Sequence, residues 1–431
     1  MDYVLDRLTE KGFAPRLSGF SALDRYCGCR PFPYRWVRSR ADLADLSRLF
    51  PELRFPGPSL ADAALDTVVE AGPAESGKEA RAGRVTWFLR CVEGGVSDDE
   101  DAVFPALRFS WDTVSRSYHD PDGLYPVIRA LREGKREGKK RDGLEAPGGE
   151  KGGSKNPSPE TWFANVLTRA DRRDGPEPVR AASQAAVMLS RYRGAAPEEE
   201  DQSASVVSQV AAVVGRVDRG PAPSAEEQRV LLTLLLLSRR PQLGFDLLMR
   251  VGYVAAYWPE LAVMDEVDHS KEFHPEGNAW AHTLETFRYR KIADPALSFG
   301  LLLHDVGKPL SEASAGHRFD RHAELGAARA RTFLTRLGFD SPLVSDVCFL
   351  VRNHMMPAAL PRLPLTRSQE ILESPLFPLL LELYRCDESS SFKGLEGFYD
   401  SCAAYRSYLR NVKNPYRSAD GKKLMRILFN R

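Results

Sequence analysis

Leu301-Leu302-Leu303-His304-Asp305-Val306-Gly307-Lys308-Pro309 sets an imidazole and a carboxylate side by side at the end of an apolar run. Phe299, Leu302, Leu303 and Val306 fall at helical spacing, so the stretch reads as a buried core helix that Pro309 ends. Burying a neutral polar group without a partner costs on the order of 2–7 kcal/mol, and a charge costs more. A metal ion would satisfy both side chains at once.

The flanking sequence supplies further ligands between Phe273 and Asp387. His282 lies in the helical segment Trp280-Ala281-His282-Thr283-Leu284, and His322 opens a helix running from Asp320 to Leu337 that Gly338 stops. A third helix begins at Ser341-Pro342, and its inward stripe Val344, Val347, Val351 continues into His354. Leu376, Leu380 and Leu383 lead in the same way to Asp387. His282, His304, Asp305, His322, His354 and Asp387 are thus expected to converge. One inward histidine is ordinarily a satisfied core residue; the set points to a metal. Nitrogen and oxygen donors without thiolates suit Mg, Mn, Ni, Co, Fe or Zn, as one ion or two, with positions left for water.

The order His…His-Asp…His…His…Asp resembles the HD superfamily of metal-dependent phosphohydrolases. Phe273-His274-Pro275-Glu276-Gly277-Asn278-Ala279-Trp280-Ala281-His282-Thr283 and His304-Asp305-Val306-Gly307-Lys308 resemble more closely the HD domain of bacterial tRNA nucleotidyltransferases and poly(A) polymerases. The resemblance covers Gly252 to Asp387. It implies core metal ligands at His282, His304, Asp305 and Asp387, and additional ligands at His322 and His354 that hold a second ion. Asp305 and Lys308 are the expected catalytic pair, Lys308 reaching back toward a phosphate or else snorkelling to the surface. Arg318 and Arg321 flank His322 as phosphate contacts or surface residues. Glu324 is expected to orient His322 and His274 to cap its loop, whereas His119, His269 and His317 follow no site pattern.

The family order implies an α+β chain: a small degenerate nucleotidyltransferase-like α/β head over residues 1–130, an all-α neck over 161–251 and an all-α HD domain over 252–410. A disordered basic insertion is expected at 131–160, and a truncated tail at 411–431. In the head, Val85–Val92 and Ala102–Trp111 read as strands and Ala41–Phe50 as a helix. Leu17-Ser18-Gly19-Phe20, Leu23-Asp24-Arg25 and Ser117–Tyr125 sit where such a head has its glycine loop, its arginine-aspartate pair and its closing turn. Nucleotidyl transfer needs paired carboxylates for its metals. Where the family carries Asp-x-Asp, this chain reads Pro33-Tyr34-Arg35-Trp36-Val37-Arg38-Ser39, with two arginines and no acid. Asp42 and Asp45 lie nearby on a helix, as a solvated face. The head is read as a remnant without transferase activity, or else as an unrelated α+β cap.

Neck helices are expected at Trp162–Ala170, Pro178–Tyr192, Ser203–Val217 and Ala225–Ser238, with an acidic break at Glu198-Glu199-Glu200-Asp201. A last helix is expected at Gly394–Asn411. With 60 basic and 59 acidic residues, net charge +1 provides no global field for nucleic acid, and no DNA signal is seen. Six cysteines form no disulfide framework or zinc-ribbon spacing and read as free thiols of a reducing compartment. No signal peptide or apolar span is found, so a cytoplasmic location is expected. The expected activity is hydrolysis of a phosphoester on a nucleotide or an RNA 3′ end. A transferase acting on RNA 3′ ends and a non-catalytic RNA- or nucleotide-binding protein are the alternatives.

Overall fold

The computed structural model describes residues 3–57, 59–69, 83–92, 107–121, 123–133, 178–193, 200–217, 222–267, 277–315, 321–391 and 394–413. The chain divides into two compact units, Met1–Leu234 with Arg250–Tyr253, and Leu235–Met249 with Val254–Arg431. The first holds a mixed sheet followed by helices, and the second is helical. This is the α+β organisation expected from the sequence.

The sheet runs in the order β3-β4-β2-β1-β5-β6, with β1 Arg16–Ser18, β2 Tyr34–Ser39, β3 Ala63–Val69, β4 Gly83–Cys91, β5 Ser110–Asp112 and β6 Ser117–His119. β2 and β4 pair in parallel and the remaining neighbours are antiparallel. The Val85–Val92 expectation is met by β4. The strand expected over Ala102–Trp111 is shorter: residues 102–106 lie outside the described residues, and regular pairing begins only at Ser110. It ends at Asp112 because that carboxylate turns the chain, accepting hydrogen bonds from the Val114 and Ser115 amides. Gly19, at φ +56°, makes the left-handed turn from β1 into the Gly19–Cys27 helix.

β2, in the segment where the resemblance would place a transferase's acids, carries none and contributes aromatic packing instead. Tyr34 and Trp36 pack against Phe88 of β4 at centroid distances of 5.8 and 5.6 Å, and Phe20 meets Trp36 at 5.9 Å. The head's nearby acids serve the fold. Asp24 is buried, with its oxygens held by Arg191 at 2.9 and 3.0 Å and by the Tyr192 hydroxyl at 2.9 Å. Asp42 and Asp45 form a capping box on the Leu43–Leu49 helix.

The Pro178–Tyr192 helix has its expected bounds, while the next two run Glu200–Val214 and Ala225–Leu236. Glu200 and Asp201 therefore open a helix instead of breaking one. Glu198, Glu199 and the Trp162–Ala170 helix lie outside the described residues, as does the insertion beyond Glu133, which ends the Leu124–Glu133 helix.

In the second unit the Pro295–Leu303 helix is buried on every side, which its run of leucines requires: Leu297, Phe299, Leu301, Leu302 and Leu303 are all at most 1% exposed. It packs on the Ser341–Asn353 and Phe377–Ser389 helices. At Gly300 an added Cβ would lie 3.0 Å from Leu383 and 3.1 Å from Leu350, so glycine sets how closely the helices approach. The core helix stops earlier than expected. It ends at Leu303, the chain turns over residues 304–307, and Pro309 stands in the first turn of the next helix, Lys308–Ala315. There its missing amide hydrogen costs no helical bond. The last described helix is Glu396–Val412, and the tail from residue 414 lies outside the described residues. Among the described residues no helix is long and apolar enough to cross a membrane, and all six cysteines are free.

Candidate metal centre

Four of the six expected ligands stand at helix ends. His304 and His354 follow directly on Pro295–Leu303 and Ser341–Asn353, His322 begins His322–Arg336, and Asp387 lies in the last turn of Phe377–Ser389. Asp305 sits in the turn after His304, and His282 is mid-helix in Ala279–Thr286. His304 and His354 repeat one device. Each Nδ1–H donates to the carbonyl three residues back, Leu301 at 2.8 Å and Val351 at 2.7 Å, satisfying an acceptor the helix end leaves open. The device fixes the tautomer and aims each Nε2 lone pair inward.

Two groups result, His282–His304–Asp387 and Asp305–His322–His354, with the donor atoms of each within 4.8 Å of one another. His282 Nε2 lies 2.9 Å from Asp387 Oδ1, and His322 Nε2 lies 3.1 Å from His354 Nε2. Asp305 joins the groups: Oδ2 is 3.2 Å from His304 Nε2, while Oδ1 is 3.8 and 3.9 Å from the Nε2 atoms of His322 and His354. His282, His304, Asp305 and His354 are at most 2% exposed, whereas the Asp387 side chain is 23% exposed and gives the cluster its edge to solvent.

This donor set fits a cation. His304 Nε2 is buried with no hydrogen-bond partner, a vacancy in bonding that an imidazole lone pair deep in a protein seldom tolerates. His322 Nε2 and His354 Nε2 stand 3.1 Å apart, close enough for a single cation to take both as ligands.

The electrostatics favour the ligand forms. Burial pushes the carboxyls of Asp305 and Asp387 up, but facing imidazoles, and Lys308 beside Asp305, hold both well below the usual range. Burial and the neighbouring His304 push His354 down from 6.5 to about 4, leaving it neutral and able to bind a cation at physiological pH. Because that folded-state value lies below the ordinary one, the unfolded chain binds more protons between pH 4 and 6.5. Metal-free stability should therefore rise with pH across this window, His354 contributing on the order of 3 kcal/mol at most. The urea midpoint of chelator-treated protein between pH 4.5 and 6.5 checks this; a flat profile would contradict it.

Other expected residues fare differently. Lys308 is neither surface-snorkelling nor free: it is 8% exposed and its ammonium lies 2.6 Å from Asp305 Oδ2. Arg321 is exposed, at φ +64°, a conformation costing a non-glycine residue roughly 1–2 kcal/mol. Glu324 faces solvent and makes no hydrogen bond to His322, because the first turn of its helix directs it outward. Arg318, His274, His269 and His317 lie outside the described residues, and His119 is on β6 of the first unit. Sequence reading missed Ser390, whose hydroxyl stands 3.4 Å from His282 Nδ1 and donates to the Asp387 carbonyl. It also missed the contact of Gly307 with the His322 helix. No periodicity reports either.

Residues 280–378 match the HD domain family, and Asp387 lies beyond that match. A CC-adding tRNA nucleotidyltransferase from Thermus thermophilus is 38% identical over 141 residues, 31% of this chain and 32% of that protein. Multifunctional CCA proteins from Halorhodospira halophila and Shewanella denitrificans are 34% and 29% identical over 122 and 104 residues, covering 28% and 24% of this chain and 29% and 25% of theirs. The matched region thus spans about a third or less of these relatives.

Proposed function

We propose that this HD domain makes the chain a metal-dependent phosphohydrolase or phosphodiesterase acting on a phosphoester of a nucleotide or an RNA end. The observation that carries the reading is the buried His304 Nε2, tautomer-fixed and unpartnered, at the centre of a nitrogen and oxygen donor cluster. His282, His304, Asp305 and Asp387 would hold one divalent ion, and His322 and His354, with Asp305 between the groups, a second. Such an ion supplies Lewis acidity toward a phosphoryl oxygen and makes water a competent nucleophile at neutral pH. The chain's own part is orientation. The Leu301 and Val351 carbonyls lock two imidazoles, and Asp305 faces both donor groups. The partly exposed edge at Asp387 admits substrate. Arg321, and Arg318 with it, are assigned to substrate phosphate. The tRNA-directed relatives favour an RNA 3′ end over a free nucleotide, and the free thiols favour a cytoplasmic location.

Incubation with Mn²⁺, Ni²⁺, Co²⁺, Mg²⁺ or Zn²⁺ and a panel of 2′,3′-cyclic, mono- and diphosphoester substrates tests the reading. Turnover of at least one ester that a chelator abolishes is expected; no turnover with any ion would overturn it, and saturable RNA binding alone would identify a non-catalytic binder.

The names of the relatives favour a second reading, transfer of nucleotides to tRNA ends. The lack of any carboxylate on β2 and the engaged Asp24, Asp42 and Asp45 oppose it. No incorporation of CTP or ATP into tRNA is expected. Incorporation that is lost on replacing one of those aspartates would establish the transferase.

A further inference from the structure

Lysine ordinarily lays its methylenes along the protein and sends its ammonium to water. Lys308 does the reverse. The turn over residues 304–307 and the Lys308 amide bond to the Asp305 carbonyl, at 3.0 Å, double the chain back, and the ammonium is delivered 2.6 Å from Asp305 Oδ2. That oxygen also stands 3.2 Å from His304 Nε2 and 3.9 Å from His282 Nε2. The ammonium and a cation held by His282, His304 and Asp387 would therefore address the same carboxylate oxygen, inside a region where charges are weakly screened.

We propose that Lys308 is a built-in competitor for the metal. In the metal-free protein it neutralises the buried Asp305 carboxylate, which would otherwise be costly to keep ionised. When a divalent ion arrives, repulsion between the two cations drives the ammonium off Oδ2, and the freed ammonium turns to the phosphate of the substrate. Lys308 thus couples loading of the ion to readiness for an anionic substrate, and it holds ion affinity below what the ligands alone would give. The inference rests on the metal-centre reading and deepens it.

The sign of one measurement separates this role from packing. Mn²⁺ titration of the full chain by calorimetry should show Lys308→Gln binding at least tenfold tighter than wild type, and Lys308→Arg, which keeps the charge, close to wild type. Without metal, the thermal midpoint of Lys308→Gln should fall. Should that variant lose its fold in the absence of metal, its recovery as Mn²⁺ is added reads the same affinity. If Lys308→Gln binds Mn²⁺ as wild type does, or more weakly, the lysine merely orients Asp305 and the competition is refuted, with the metal centre intact. No Mn²⁺ binding by wild type would instead remove the metal centre, and the competition with it.

Discussion

Asp305→Ala is expected to lower phosphoester hydrolysis by on the order of a thousandfold or more and to abolish tight divalent-ion binding. Among the described residues Asp305 is the one carboxylate whose two oxygens face both donor groups, Oδ2 toward His304 and Oδ1 toward His322 and His354. Its loss leaves five candidate ligands, His282, His304 and Asp387 on one side and a bare imidazole pair on the other. The change also leaves the buried Lys308 ammonium without the carboxylate it pairs with. Removing one member of a buried pair costs about 3–5 kcal/mol, so lost activity alone would be ambiguous. The double variant Asp305→Ala/Lys308→Met resolves this: it should regain much of the stability and none of the metal binding, read by urea unfolding and Mn²⁺ titration. A single variant that kept near wild-type hydrolysis would exclude Asp305 from the chemistry.

Gly307→Ala should do comparable damage without touching a ligand. A Cβ there would overlap the His322 carbonyl oxygen and stand 2.5 Å from the Gly326 nitrogen, all backbone of the His322–Arg336 helix. Backbone cannot rotate out of the way as a side chain can, so the turn carrying His304 and Asp305 must separate from the helix carrying His322. Overpacking typically costs about 1–3 kcal/mol and occasionally more; the upper end is expected here. His322 would move away from Asp305, and ion affinity should fall by roughly 10–100-fold, the scale seen for disturbed ligand positioning. Gly326→Ala provides the graded control. Its Cβ would meet the Gly307 nitrogen and Val351 Cγ1 at 3.3 Å, a tight contact that small shifts can absorb. Its effect should be distinctly smaller by thermal unfolding and Mn²⁺ titration. Equal effects would mean that the close crossing does not set the ligand spacing.

The convergence of the six candidate side chains was legible because apolar stripes end in several of them. Val344, Val347 and Val351 lead into His354, and Leu380 and Leu383 lead to Asp387, so burial periodicity alone aims those side chains inward. What periodicity could not supply is where a helix stops. Pro309 reads equally as a terminator and as a first-turn proline, and only the closure of residues 304–307 against Gly326 decides between them. The same turn reverses Lys308, whose sequence context leaves reaching inward and snorkelling to the surface equally open. In the head, the missing acids of β2 were plain, yet the stacking of Tyr34 and Trp36 on Phe88 depends on the parallel pairing of strands some fifty residues apart, which local sequence does not report. Short β5 was overread because buried Phe109 looks like strand when its hydrogen-bond partners are unknown.

The most direct test of the account is the binding of a divalent ion to the wild-type chain and to His304→Ala, the variant that removes the unpartnered imidazole nitrogen at the centre of the cluster. Metal analysis after equilibration with Mn²⁺ should find one or two tightly held ions per chain in wild type and the loss of at least one in the variant, with hydrolysis lost in parallel. Equal metal content in the two proteins, or none in either, would contradict it.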